Sequence, residues 1–163
     1  MPNITLVRVD HRLIHGQVIT KWLKIADAKK IIIIDDYLAE ESFMVDIYKM
    51  AAPPGVEVKI LNVADAAKQF ESNEFANKNI FILFKNIDMA YKAYKAGVKY
   101  TDLQLGGIPN EAGKKMIFTA ISLGQEEIRQ LNEMNEDGVN IELHIVPEEP
   151  AMSFEAAVKK YNL

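Results

Sequence analysis

Apolar and polar positions run along this chain in two alternating periods. Residues 4–9 form a short β-rich run, and residues 16–26 then place Val18, Ile19, Trp22, Leu23 and Ala26 at helical spacing. The run Lys30-Ile31-Ile32-Ile33-Ile34-Asp35 is continuously β-branched, the pattern of a strand buried on both faces of a parallel sheet. Asp36 is expected to cap the next helix, whose apolar positions are Phe43, Met44, Ile47, Met50 and Ala51 and which Pro53-Pro54-Gly55 stops. A strand over 56–61, a helix over 63–70 and a fully buried strand over 80–84 follow. The spacing then predicts a helix over 87–96 ending at Gly97, a left-handed cap. Residues 101–105 read as a strand, 106–110 as a turn-rich loop and 116–123 as extended. A polar helix over 125–137 carries Ile128, Leu131 and Met134 on one face; a strand over 139–146 and a tail helix over 153–161 complete the chain.

Strands and helices thus alternate almost throughout. The expectation is an α/β fold: an open, mostly parallel sheet of about seven strands with helices on both faces. Right-handed crossovers put the loops opening at Asp10, Asp35, Lys85 and Gly106 on one edge of that sheet, where such folds bind their ligands.

The 163 residues suit a single domain spanning 1–163. No cysteine is present, which excludes disulfides and thiolate chemistry. No apolar run is long enough for a membrane span and no signal-peptide pattern opens the chain, so a cytoplasmic protein is expected. A formal charge of -4 argues against a nucleic-acid partner. The charge is uneven, however: residues 1–30 hold Arg8, Arg12, Lys21, Lys24, Lys29 and Lys30 against only Asp10 and Asp27. A local positive field there favours an anionic partner or a phosphoryl group.

The candidate chemistry lies in that basic part, in Arg8-Val9-Asp10-His11-Arg12-Leu13-Ile14-His15-Gly16-Gln17. If a helix begins at Gly16, His15 stands at its start, where free backbone N–H groups and the macrodipole favour negative charge. Gly16 and Gln17 supply amides there, and Arg12 offers a planar fork for phosphate oxygens. Asp10 is placed to hydrogen-bond a ring nitrogen or a nearby N–H, leaving the other nitrogen nucleophilic. His15, Arg12 and Asp10 are therefore the candidate catalytic residues of a covalent phosphate carrier. Arg8, His11, Gly16 and Gln17 are candidate phosphate ligands. Arginine and backbone amides stabilise a transferring phosphoryl group without a metal or other cofactor.

This segment, with Thr20 and Trp22 after it, resembles the active-site segment of the IIB component of the mannose/fructose/sorbose family of the sugar phosphotransferase system. The likeness extends through Asp35-Asp36 and Ala39, Ala51-Ala52-Pro53, Gly97, Leu105-Gly106-Gly107 and Gly138-Val139. The resemblance implies phosphorylation of His15 at Nδ1 by the phosphohistidine of a IIA protein, with Arg12 holding the phosphate. It further implies passage of the group to a sugar entering through membrane IIC and IID proteins, with the chain peripheral to the membrane. His11 stands where Asp or Asn is common in that family, and Leu103-Gln104-Leu105 where Val-Asn-Val is frequent.

Other signals carry less. His11 and His15 have the i, i+4 spacing of zinc helices, but Arg12 replaces the Glu of H-E-x-x-H, so no metal site is expected. Residues 107–115 depart from a nucleotide-binding loop in spacing and in the residue after the lysine. His144 and Trp22 read as structural. Lys85, at a strand end, is balanced between attracting phosphate and simple solvation. Two rival functions remain: a histidine phosphatase or mutase, suggested by Leu13-Ile14-His15-Gly16-Gln17, and a non-catalytic anion-binding regulatory module.

Overall fold

The computed structural model describes residues 2–163 and, within them, all side chains but those of Gln17 and Val18. Seven strands form one sheet: β1 (Asn3–Val9), β2 (Lys30–Ile34), β3 (Glu57–Leu61), β4 (Asn79–Phe84), β5 (Asp102–Leu105), β8 (Asn140–Leu143) and β9 (Met152–Ser153). Their order is β3-β2-β4-β1-β5-β8-β9, all parallel except the short edge strand β9. The extended stretch over 116–123 is instead a separate hairpin, β6 (Lys115–Phe118) with β7 (Ile121–Leu123), turning at Ala120 with φ 61°.

Two cores follow from the period-two pattern of the central strands. On one face, Leu6, Ile31, Ile33, Phe81 and Leu83 meet Ile19, Trp22, Leu23 and Ala26 of helix α1 (Gly16–Ala26), with helix α2 (Ser42–Ala51) beside it. On the other, Val7, Val9, Ile32, Ile34, Ile80, Ile82 and Phe84 meet the remaining helices. These are α3 (Val63–Glu71), α4 (Ile87–Ala96), α5 (Gln125–Glu136) and α6 (Phe154–Tyr161). The four isoleucines of β2 are inaccessible to solvent, each contributing at most about 1.5–3 kcal/mol by burial.

Several boundaries differ from the sequence expectation. Asp36 does not cap α2, because a 3-10 turn over Leu38–Glu40 intervenes; its carboxylate instead accepts from Val63 N–H at the start of α3 (2.8 Å), while Asp35 accepts from Tyr37 and Leu38 N–H. The strand predicted over 139–146 ends at Leu143, since the chain bends beyond it and turns the carbonyls of His144 and Ile145 toward Arg8.

The topology sets the site. The chain leaves β1 toward the α1 face, whereas it leaves β4 and β5 toward the opposite face, so a crevice opens at the carboxyl end of β1. Loops after β4 and β5 flank it. The loop after β2 lies one strand further out.

Candidate active site at the β1 to α1 junction

Residues 10–15 form a tight loop pinned on three sides. Asp10 N–H donates to the Phe84 carbonyl at the end of β4 (3.0 Å), and His11 N–H to the Gly107 carbonyl after β5 (2.9 Å). Leu13 N–H donates back to the Asp10 carbonyl (3.0 Å). Leu13 takes a left-handed conformation, φ 56°, at a cost of about 1–2 kcal/mol for a residue with a Cβ. That twist drives Leu13 and Ile14 into the core and leaves Arg12 and His15 facing out. Gly16, at φ 47°, restarts the chain as α1.

Asp10 is the hub. It is 1% exposed, and the basic groups of four side chains stand within 4 Å of its carboxylate. Oδ2 lies 3.4 Å from Arg8 Nη2 and 3.9 Å from His15 Nε2. Oδ1 accepts from Arg12 N–H at 3.1 Å, with Arg12 Nε at 3.7 Å and His11 Nδ1 at 3.9 Å. One carboxylate between two arginines leaves a net positive charge beside His15 before either imidazole is counted. The Arg12 and His11 side chains are 48% and 40% exposed and the His15 ring 20%, so these three reach the surface.

Among the described residues, no side chain caps the start of α1. His15 is the N-cap residue in extended conformation, makes no capping bond with its side chain, and no acidic residue occupies the first turn. Helices α3, α4 and α6, by contrast, are capped by Asn62, Asn86 and Ser153. Gly16 lies in that first turn; the side chain of Gln17, another expected phosphate ligand, lies outside the described residues.

The His15 ring is held with its nucleophilic positions covered. Nδ1 lies 2.9 Å from the Leu13 carbonyl, which only accepts, so Nδ1 carries the hydrogen in this contact. Nε2 is sealed from solvent and has no hydrogen-bond partner among the described residues. The Nδ1 expected to take phosphate is therefore not presented in this conformation.

Arg8, expected as a phosphate ligand, is placed elsewhere. The alternation of β1 sends Val7 and Val9 to one face and Arg8 to the other, where it is 1% exposed beneath the loop. Its guanidinium donates to Gln104 Oε1, to the carbonyls of His144 (2.7 Å) and Ile145 (3.0 Å), and to Asp10. The Trp22 ring lies 5.1 Å from Cζ and donates its own N–H to the Ile145 carbonyl. Burial lowers the Arg8 pKa well below the ordinary arginine value, to about 10, and Asp10 partly offsets this. A cation whose folded value is lowered opposes folding wherever it is charged, here at all pH below about 10. Polar partners on every side answer that cost.

The loop after β5 closes the site. The β6–β7 hairpin clamps it: Ile108 N–H donates to Ala120 O and Ser122 N–H to Ile108 O. His11 Nδ1 contacts the Gly107 carbonyl at 3.0 Å. A Cβ on Gly106 would stand 2.6 Å from Arg8 Cζ, and one on Gly107 3.1 Å from His11 Nδ1. Gly106→Ala must push a guanidinium held by four acceptors; it is expected to cost about 1–3 kcal/mol in urea denaturation. His144 stacks edge-on against Trp22 (5.0 Å) and meets the Glu149 carbonyl with Nε2. Lys85 is exposed on the neighbouring loop.

Comparison with known proteins gives the family and the fold. Residues 4–163 match the family model described as the PTS system sorbose subfamily IIB component. The sorbose-specific EIIB component of Lacticaseibacillus casei is 34% identical over 155 residues, 95% of this chain and 94% of that protein. The crystal structure of manxB from Thermoanaerobacter tengcongensis superposes with a TM-score of 0.92 at 38% identity, covering 99% of this chain and 98% of the other. The IIBSor domain of the Klebsiella pneumoniae sorbose permease does so with a TM-score of 0.91 at 32% identity, covering 97% of each. Neither the phosphatase nor the regulatory-module reading finds support in these likenesses. The chain belongs to the sorbose-subfamily IIB components and is a phosphocarrier of a sugar phosphotransferase system.

Proposed function

We propose that His15 is the residue that carries the phosphoryl group, taking it from a phosphohistidine on a IIA protein and giving it to a sugar that enters through IIC and IID membrane proteins. The supporting observation is the convergence of Arg8, His11, Arg12 and His15 on the single buried carboxylate of Asp10, beside an uncapped helix start. A relative in which IIA and IIB share one name, the mannose-specific EIIAB component of Escherichia coli, fits a IIA donor.

In the first step a bare ring nitrogen of His15 attacks phosphorus, the P–N bond to the donor histidine breaks, and the donor ring departs and regains a proton. Attack by Nδ1 requires its contact with the Leu13 carbonyl to open and its hydrogen to pass to Nε2. Asp10 Oδ2, 3.9 Å from Nε2, receives that N–H after a shift of about 1 Å. Arg12 then turns its exposed fork onto the phosphoryl oxygens, and the first amides of α1 complete the cradle. In the second step a sugar hydroxyl attacks phosphorus, the P–N bond to His15 breaks, and the hydroxyl proton ends on the freed ring nitrogen.

Incubation with radiolabelled phospho-IIA tests the proposal. Trypsin cuts after Arg8, Arg12 and Lys21, so His11 and His15 fall in different peptides. Acid-labile label is expected in peptide 13–21 and is expected to leave on addition of sugar with IIC/IID membranes. Label confined to 9–12, or release of phosphate from small esters without IIA, would overturn the assignment. Arg12→Ala is expected to slow transfer by about 10–100-fold. Urea denaturation should show a change of no more than about 1 kcal/mol, because the backbone N–H bond to Asp10 survives. An unchanged rate would remove Arg12 from the clamp.

A further inference from the structure

The acceptors around Arg8 match its four Nη hydrogens one for one. Nη1 donates to Gln104 Oε1 and the His144 carbonyl, Nη2 to the Ile145 carbonyl and Asp10 Oδ2. All four Nη hydrogens are thereby engaged, and three of the four acceptors are neutral groups on β5 and on the segment after β8. Only the fourth points at the reaction site. Arg8 and Gln104 are also register partners on adjacent strands, and they belong to a short joint, since β1 pairs with β5 only at Arg8 and Val9. Below that joint the strands part around a cleft of about 670 Å³ lined by Ile4, Leu6, Leu103 and Gln104. The buried Gln104 thus stands between the cleft and the guanidinium.

We propose that Gln104 and Arg8 are a positioning pair for phosphoryl transfer: Gln104 fixes the rotation of the Arg8 guanidinium, which aims Asp10 Oδ2 at His15 Nε2. This rests on the assignment of His15 as the carrier. Neither residue touches the phosphoryl group. Without the Gln104 oxygen one Nη hydrogen loses its partner, the guanidinium turns toward the cleft, and the bond to Asp10, already long at 3.4 Å, is the one that yields. His15 then loses the acceptor that steers its second nitrogen.

Gln104→Met, of similar size but with no acceptor, and Gln104→Glu, which restores one, test the pair. With saturating phospho-IIA, Gln104→Met is expected to label His15 about tenfold more slowly, while the donor concentration giving half the maximal rate stays within about twofold. Gln104→Glu is expected to recover to within about threefold of the parent rate. Independently of any donor, nitrogen-resolved NMR of the free protein should show separate Arg8 Nη hydrogens in the parent and in Gln104→Glu, and merged ones in Gln104→Met, where the guanidinium rotates. Parent-like transfer by Gln104→Met, equal slowing by both variants, or Arg8 signals that stay separate in Gln104→Met would each overturn the pair. If the parent chain itself takes no label, the carrier assignment fails, and the NMR comparison still decides whether Gln104 holds Arg8.

Discussion

His15→Ala will accept no phosphoryl group from phospho-IIA, whereas His11→Ala and His144→Ala will. The expected loss is at least about a thousandfold, since a removed nucleophile leaves only background chemistry. The three imidazoles are separated by what holds them. The His144 ring is packed on Trp22, past the middle of α1 and not in its first turn, with Nε2 against the Glu149 carbonyl. The His11 ring is engaged with the Gly107 carbonyl, and His11 is not the residue that starts α1; His15 is. Only His15 combines that helix start, a neighbouring exposed arginine and a carboxylate behind the ring. The same contacts predict a folded variant: the ring's one hydrogen bond is to Leu13 O, so its removal should change stability by about 1 kcal/mol in urea denaturation. Full labelling of His15→Ala, read by acid-labile phosphate, would place the carrier elsewhere.

Much of this site was legible in the residue order, because the strand, loop and helix signals around residues 4–26 are local. The β-branched run of β2, the limits of α4 and the switch from period two to period 3.6 at Gly16 all emerge as read. The role of Arg8 did not, although its signal was present. Leu6-Val7-Arg8-Val9 alternates, and the burial of Val7 and Val9 on one face commits Arg8 to the other. What occupies that other face depends on β5 lying beside β1, a pairing between segments about a hundred residues apart, and on β8 lying beside β5, and no local pattern records either. Gln104 was obscure for the same reason. The misassigned cap at Asp36 has a similar origin: its partner, Val63 N–H, is brought near by the β2–β3 pairing, not by the sequence that follows it. In the hairpin of β6 and β7 the extended pattern was correct and only the reversal at Ala120, which has no glycine or proline to mark it, was hidden.

Asp10→Asn separates two effects that point in opposite directions. Removing the carboxylate raises the local charge of the Arg8 and Arg12 pair, and at about 6 Å with an effective dielectric near 20 that favours a phosphoryl dianion by up to roughly 5 kcal/mol. Charge alone therefore predicts faster or tighter phosphorylation. Geometry predicts the reverse. Asp10 Oδ1 accepts from Arg12 N–H and Oδ2 from Arg8 Nη2, so both oxygens face donors. A carboxamide has one acceptor, and its NH₂ must confront either the loop amide or the buried guanidinium. Leaving Arg8 at 1% exposure without its counter-charge is expected to cost about 3–5 kcal/mol, and a loop carrying a left-handed Leu13 has little reserve with which to absorb the mismatch. Misplacement of His15 by as little as about 1 Å can slow transfer about a hundredfold, and this governs the rate because the incoming group is already a dianion on the bound donor, so that most of the Coulombic gain is shared between that complex and the transition state. The expected result is transfer slowed by about a hundredfold, together with a fall in stability of about 3 kcal/mol by urea denaturation. A faster transfer with stability unchanged would mean that Asp10 acts only as a charge, and that the aim of the His15 ring is set by the Leu13 carbonyl alone.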